Sequence, residues 1–223
     1  MNALGDAWHW FFQSANWSGT DGIPARLGEH LYYSGLALLF AVIIAVPLGL
    51  IIGHTNRGGF LVVNSANAAR ALPTVGVVLL VVVLAGIGLL PVLVPLIALA
   101  IPPILVNTYE GIRQVEPELV DASRGMGLRE YQVLGSVEVP LATPLILLGV
   151  RTAAIQIVST ATIAAYVGLG GLGRFIFDGL ARQEYPTVIG GAILVVALAL
   201  LTELVFVGAQ KLLVPTGLQG QKS

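Results

Sequence analysis

Val115-Glu116-Pro117-Glu118-Leu119-Val120-Asp121-Ala122-Ser123-Arg124-Gly125-Met126-Gly127-Leu128-Arg129-Glu130-Tyr131-Gln132-Val133-Leu134-Gly135-Ser136-Val137-Glu138-Val139-Pro140 is a polar island in an otherwise apolar chain. Pro117 suits a first helical position, where its missing N–H would be unpaired anyway, and Glu118 and Asp121 follow in the first turns, where the helix dipole favours negative charge. Leu119, Ala122 and Met126 recur at helical spacing, and Gly125 and Gly127 end the run with a backbone free to turn back. A second short helix is predicted from about Arg129 to Ser136. Two amphipathic helices this short are marginal alone in water. Joined by a glycine elbow, they read as a ligand for a partner's groove.

Working outward, 56% of the 223 residues are hydrophobic and 10% are charged, with a mean hydropathy of +0.88. A soluble domain carries about a quarter charged residues, so the chain reads as an all-α integral membrane protein. Its length suits about five spans of ~20 apolar residues each and leaves no room for a soluble catalytic or nucleotide-binding domain. A net charge of −1 gives no reason to expect nucleic acid. The absence of cysteine excludes disulfides and thiol chemistry. No cleavable signal is expected, because the first basic residue is Arg26 and no apolar run precedes it.

Residues 1–29 mix Trp8, Trp10, Phe11, Phe12 and Trp17 with Gly, Asn and Asp, as an interfacial segment does, or as a frayed tail does. Span one is predicted over Leu31 to Ile52, kinked at Pro47. Span two runs from Phe60 to Gly86, interrupted by Asn64, Asn67, Arg70 and Pro73, so its polar side must face protein or water. Span three, Leu89 to Glu110, contains Pro91, Pro95, Pro102 and Pro103, which free backbone carbonyls that neighbours or water must satisfy. Span four runs from Leu141 to about Ala165 with Arg151 and a stripe of Gln156, Ser159, Thr160 and Thr162. Span five runs from about Thr187 to Leu213 and carries Glu203.

Placing the polar island inside the cell puts Arg57, Arg113, Arg124, Arg129, Lys211 and Lys222 there, and leaves Arg26, Arg174 and Arg182 outside. The excess of basic residues on the inner side predicts N-terminus out and C-terminus in. The halves show no obvious internal repeat, which argues against a self-contained transporter built from inverted repeats.

Gly168-Leu169-Gly170-Gly171-Leu172-Gly173 satisfies the dinucleotide pattern G-x-G-x-x-G letter for letter. That pattern works where a strand turns into a helix in a soluble βαβ unit, so here it is read as a tight turn between spans. Arg70, Arg151 and Glu203 are the ionisable residues inside predicted spans, each costly unless it faces a partner or cavity. Helical rise allows Glu203 to pair with one of the arginines. Such a pair either locks helices together or meets substrate. No catalytic constellation emerges: His9, His30 and His54 are scattered without metal-ligand spacing, Ser159 lacks a base, and no glycine-rich loop ending in Lys-Ser/Thr cradles a nucleotide.

Asp121-Ala122-Ser123, three residues, Gly127, nine residues, then Val137-Glu138-Val139-Pro140 resembles the EAA loop of ABC importer permeases, E-A-A-x3-G-x9-I-x-L-P. The departures are Asp for Glu, Ser for Ala, and Val for both Ile and Leu. Arg70-Ala71-Leu72-Pro73-Thr74, the run from Pro102 to Arg113, Gly170-Gly171-Leu172-Gly173 and Ile176-Phe177-Asp178-Gly179-Leu180 are similar to permeases of osmoprotectant (glycine betaine, carnitine, choline) importers. The likeness runs from about Leu31 to Pro215.

The resemblance implies a type I ABC importer permease domain over 30–215, with a coupling loop over 116–140 and a cytoplasmic tail at 216–223. It implies ATPase-coupling roles for Glu118, Leu119, Asp121, Ala122, Ser123, Met126, Gly127 and Pro140. Asn67, Arg70, Pro73, Gln156, Ser159, Thr160, Gly170, Gly171 and Gly173 become gate or pathway candidates. It implies two ATPase subunits that bind ATP and magnesium, a second permease subunit, either identical or a paired homologue, and an external solute-binding protein; no cofactor or metal belongs to this chain. The alternatives are a permease for methionine or another small solute, and a stand-alone channel or secondary transporter.

Overall fold

The computed structural model describes residues 3–213. Their regular elements, all helical, are α1 (Ala3–Phe11), a 3-10 turn (Ser14–Trp17), α2 (Ile23–Thr55), α3 (Gly59–Ala71), α4 (Thr74–Ala85), α5 (Leu89–Arg113), α6 (Pro117–Gly125), α7 (Glu130–Val133), a π turn (Leu134–Glu138), α8 (Val139–Thr160), α9 (Ile163–Tyr166), α10 (Gly173–Arg182) and α11 (Tyr185–Leu213). Two compact units are distinguished, Met1–Leu39 with Leu72–Leu99 and Ala154–Thr202, and Phe40–Ala71 with Ala100–Ala153 and Glu203–Ser223.

Four stretches are long and apolar enough to cross a membrane: α2, α5, the run from Glu130 to Tyr166, and α11. The fifth expected span differs. Residues 59–85 form two helices, α3 of 13 residues and α4 of 12, separated at Leu72 and Pro73. At about 1.5 Å per residue, each measures roughly 20 Å, short of the ~30 Å hydrocarbon core. The break follows from Pro73, which cannot donate a backbone N–H and disfavours helical geometry in the residue before it.

Four-residue and three-residue steps organise α2. His30, Ser34, Ala37, Ala41, Ala45, Gly49 and Gly53 are all buried along one face, whereas Leu31, Leu39, Phe40, Ile43, Ile44, Leu48 and Ile51 are exposed. Small residues inside and large apolar ones outside is how helices pack in lipid, where burying more hydrocarbon gains little and close backbone approach gains most. A Cβ on Gly49 would come within 2.6 Å of Thr108 Cβ, and one on Gly53 within 2.7 Å of Ile112 Cβ, so α2 and α5 touch at backbone distance in the second unit.

The first long helix starts at Ile23, eight residues before the predicted span. Its first polar turns find partners within the first unit: Arg26 pairs with Asp21 and Glu29, the Gly171 N–H donates to Glu29 Oε2 at 2.8 Å, and His30 Nε2 donates to the Val158 carbonyl at 2.9 Å, while His30 Nδ1 and Ser34 Oγ are buried without a hydrogen bond. The N-terminal segment is not a frayed tail over its described residues. Trp10 is buried and packs edge-to-face on Phe175 at 5.3 Å, Asn16 donates to the Trp10 carbonyl, and Trp8, Phe12 and Trp17 stay exposed.

Helix α5 continues through all four prolines. Pro103 has no N–H for the carbonyl of Leu99, four residues earlier, and Gln156 Nε2 from α8 reaches that carbonyl at a long 3.5 Å. The freed acceptor thus has a side-chain donor beside it.

Candidate functional site

Helix α6 begins with Pro117 at its first position and Glu118 in its first turn. Its far end is a Schellman cap. The Leu128 N–H donates to the Ser123 carbonyl at 3.2 Å, the Gly127 N–H donates to the Arg124 carbonyl at 2.9 Å, and Gly127 has φ +87°. That pair of hydrogen bonds around a left-handed residue satisfies carbonyls the helix end would otherwise leave open. The chain reverses there, and Gln132 Oε1 accepts from the Arg129 N–H at 2.8 Å to open α7.

The face that α6 presents is apolar and unfilled. Leu119, Ala122 and Met126 are exposed, Met126 to 73%, and Glu118, Asp121, Gly127 and Pro140 are exposed as well. Ser123 is placed differently. It is buried, and its hydroxyl donates to the Leu119 carbonyl at 2.7 Å, so it fixes the helix from within. A groove of about 300 Å³ runs beside this face, lined by Gly111, Gln114, Val115, Glu116, Leu119, Leu141 and Leu145.

Charged side chains brace the elbow from behind. Arg124 donates from Nε and Nη2 to the two oxygens of Glu130, both at 3.0 Å, and weakly to Asp121 at 3.4 Å. The hydrogen bond to Glu130 raises the Arg124 guanidinium above its ordinary pKa. Glu130 also faces His54 Nε2 at 3.2 Å, and His54 Nδ1 donates to Glu138 Oε2 at 2.6 Å. Glu138 is buried. The sequence treated His54 as one of three scattered histidines and assigned Glu138 only a place in the motif spacing, because their partners lie 84 residues apart.

The predicted second short helix does not end at Ser136. It passes from α7 through the π turn directly into α8, so the elbow is rigidly attached to a membrane span on one side. No sequence signal marks the π turn.

Among the pathway candidates, Gly170, Gly171 and Gly173 form the turn into α10. A Cβ on Gly170 would collide with the Glu29 carboxylate, and one on Gly173 with the Thr162 carbonyl. Their role here is close packing onto α2 and α9 within the first unit. Pro73 caps α4, Ser159 is exposed, its carbonyl accepting from Thr162 at 2.8 Å, and Thr160 ends α8. Asn67 and Arg70 belong to α3, but their side chains lie outside the described residues. Of the intramembrane ionisable residues, Arg151 and Glu203 are brought together. Arg151 Nε donates to Glu203 Oε2 at 2.6 Å, and Nη2 meets Oε1 as well.

Compared with known proteins, residues 45–216 match the family described as the binding-protein-dependent transport system inner membrane component. The chain belongs to that family. The permease is 37% identical over 197 residues to the glycine betaine/carnitine/choline transport system permease protein OpuCB of Bacillus subtilis, covering 88% of this chain and 91% of the relative. It is 36% identical to the choline transport system permease protein OpuBB of the same organism, over 87% and 89% of the two chains. It is 32% identical to the osmoprotectant import permease protein OsmW of Salmonella typhimurium, over 86% and 91%. A chain of the inward-facing MetNI methionine ABC transporter shares its fold, with a TM-score of 0.73 at 22% identity, over 85% of the permease and 95% of that chain.

Within the permease, the family match covers the elbow, the bracing charges and the Arg151–Glu203 pair. The reversal at Gly127 falls where the EAA-like spacing put it.

Proposed function

We propose that this permease forms the membrane pathway of an ATP-driven importer of quaternary ammonium osmoprotectants such as glycine betaine, carnitine and choline. Two ATPase subunits bind ATP and magnesium and dock on α6; a second permease subunit, identical or homologous, completes the pathway; an external binding protein carries the specificity. The chain itself performs no catalysis. One observation carries the reading: an exposed apolar face of Leu119, Ala122 and Met126 on a helix that the chain holds firmly at its cap and elbow, in a protein whose osmoprotectant relatives align over most of its length. Specificity for a trimethylammonium group favours aromatic cages, and only 7% of the residues are aromatic, which supports delegation to the binding protein. Methionine transport has no comparable support, since likeness to the methionine transporter extends to the fold.

Reconstituted with its ATPase and binding protein, the permease is expected to take up labelled glycine betaine with ATP, and the isolated chain to bind no nucleotide. Tight binding of a labelled ATP analogue to the isolated chain would overturn the division of labour. Basic-residue placement further predicts the orientation. Thr20→Cys, at an exposed turn position, is expected to react with an impermeant thiol reagent from outside, and Gln219→Cys from inside only. The reverse pattern would put the elbow on the wrong side for an ATPase. The chain has no native cysteine to confuse the assay.

A further inference from the structure

We propose that His54 is a positioning residue that carries movement of the elbow to α2, a step that deepens the permease reading and rests on it. The contacts form an unbroken line. Arg124 on α6 clamps Glu130 at the start of α7 with two bonds of 3.0 Å. Glu130 faces His54 Nε2 at 3.2 Å, and His54 Nδ1 donates to Glu138 at 2.6 Å. His54 stands in the last turn of α2. The docking helix is therefore tied to three membrane helices, covalently to α5 before it and α8 after it, and through one imidazole ring to α2.

The π turn explains how one ring meets both carboxylates. Glu130 and Glu138 are eight residues apart, and in an unbroken α-helix at about 100° per residue they would point roughly 80° apart. A π turn accommodates one extra residue, which removes about 100° of that rotation and brings the two carboxylates to within roughly 20° of one face. Along the axis they are then separated by about 10 Å, a gap that two glutamate side chains and a ring between them close. Leu134–Glu138 is this π turn, and Glu138 is its last residue. Glu138 is 5% exposed, so its charge is held by His54 rather than by water, and the link resists stretching.

A displacement imposed on α6 from outside must either drag the end of α2 with it or part the bidentate Arg124–Glu130 clamp or the Glu130–His54 contact that link the two. The first is the cheaper response, which makes the Glu130–His54–Glu138 bridge a transmitting joint in the sense that both the docking face and the span depend on its state. Other charged groups around the joint, Arg113 and Asp121, line the same recess of about 270 Å³ with Arg124, so the bridge sits in a polar setting on the elbow side.

The test uses the complete complex with its ATPase and binding protein in proteoliposomes, and measures glycine betaine transported per ATP hydrolysed. His54→Ala is expected to lower that ratio about tenfold or more at wild-type recovery of the complex, leaving the half-saturating concentration of loaded binding protein unchanged. Glu130→Gln is the second arm. Its side chain is 61% exposed, so its loss strands no buried charge, and it is expected to lower the ratio severalfold. A merely structural joint would lower uptake and hydrolysis together and leave the ratio alone. Wild-type ratios in both variants, or in Glu130→Gln if His54→Ala does not assemble, would overturn the proposal. Absence of ATP-driven uptake in the wild-type complex would instead overturn the permease reading itself.

Discussion

Gly127→Val is expected to lower coupled uptake about tenfold or more while the permease still inserts in the membrane. The reason is confined to the backbone: Gly127 has φ +87°, and a Cβ added there meets nothing within 4 Å, so lack of room is not the obstacle. An L-residue in the left-handed region pays about 1–2 kcal/mol, more when β-branched and less for asparagine. The chain would relieve that strain by opening the Schellman cap, rotating Leu119 and Met126 off the surface they offer. A loss of about 1.4 kcal/mol at the docking contact lowers ATPase occupancy roughly tenfold. A graded series is the check, with uptake and ATPase recovery falling in the order Gly127, Gly127→Asn, Gly127→Ala, Gly127→Val. Ala122→Glu sharpens it. Ala122 is exposed in the permease, so a charge there costs little unless a partner covers it, and lost ATPase recovery would report that partner directly. Wild-type uptake from both Gly127→Val and Ala122→Glu would leave the elbow a solvated connection.

Glu203→Ala is expected to destabilise the permease by about 2–3 kcal/mol, because it strands the half-buried Arg151 guanidinium without its carboxylate among apolar helices. The recovered amount of protein and its melting temperature in detergent should both fall. Replacing both members, Arg151→Met with Glu203→Met, removes the stranded charge and is expected to return recovery close to wild type, since apolar pairs often substitute for buried ion pairs at no cost. Uptake by the double variant separates the two meanings of the pair. A helix lock predicts normal half-saturation by solute; loss of uptake in a well-recovered double variant would mean that the pair meets substrate.

The local features of the elbow were legible because each is written in neighbouring residues. Pro117 starts a helix, Gly127 ends it in a left-handed turn, and Leu119, Ala122 and Met126 repeat at helical spacing, all within ten or so positions. Long apolar runs gave the spans for the same reason. Pro73 is legible as an interruption of the second predicted span, but not that the helix breaks there into two short pieces. The start of α2 was missed by eight residues because Arg26, Glu29 and His30 look too polar for a membrane helix until their partners at Asp21, Gly171 and Val158 are known.

By itself the sequence determined an all-helical membrane protein, the place and shape of its polar elbow, and the short set of ionisable residues that had to find partners in the apolar region. It could not choose among those partners. That Glu203 takes Arg151, that Ser123 turns inward while Ala122 faces out, and that His54 joins two carboxylates across a π turn were decided by tertiary structure. The physical reason is the reach of the interactions. Helix periodicity and turn chemistry act over three to five residues and can be read along the chain, whereas an ion pair bridging 52 residues or a hydrogen bond bridging 84 depends on which helix faces pack, and those faces are set by small residues such as Gly49 and Gly53 whose neighbours appear only when the helices meet.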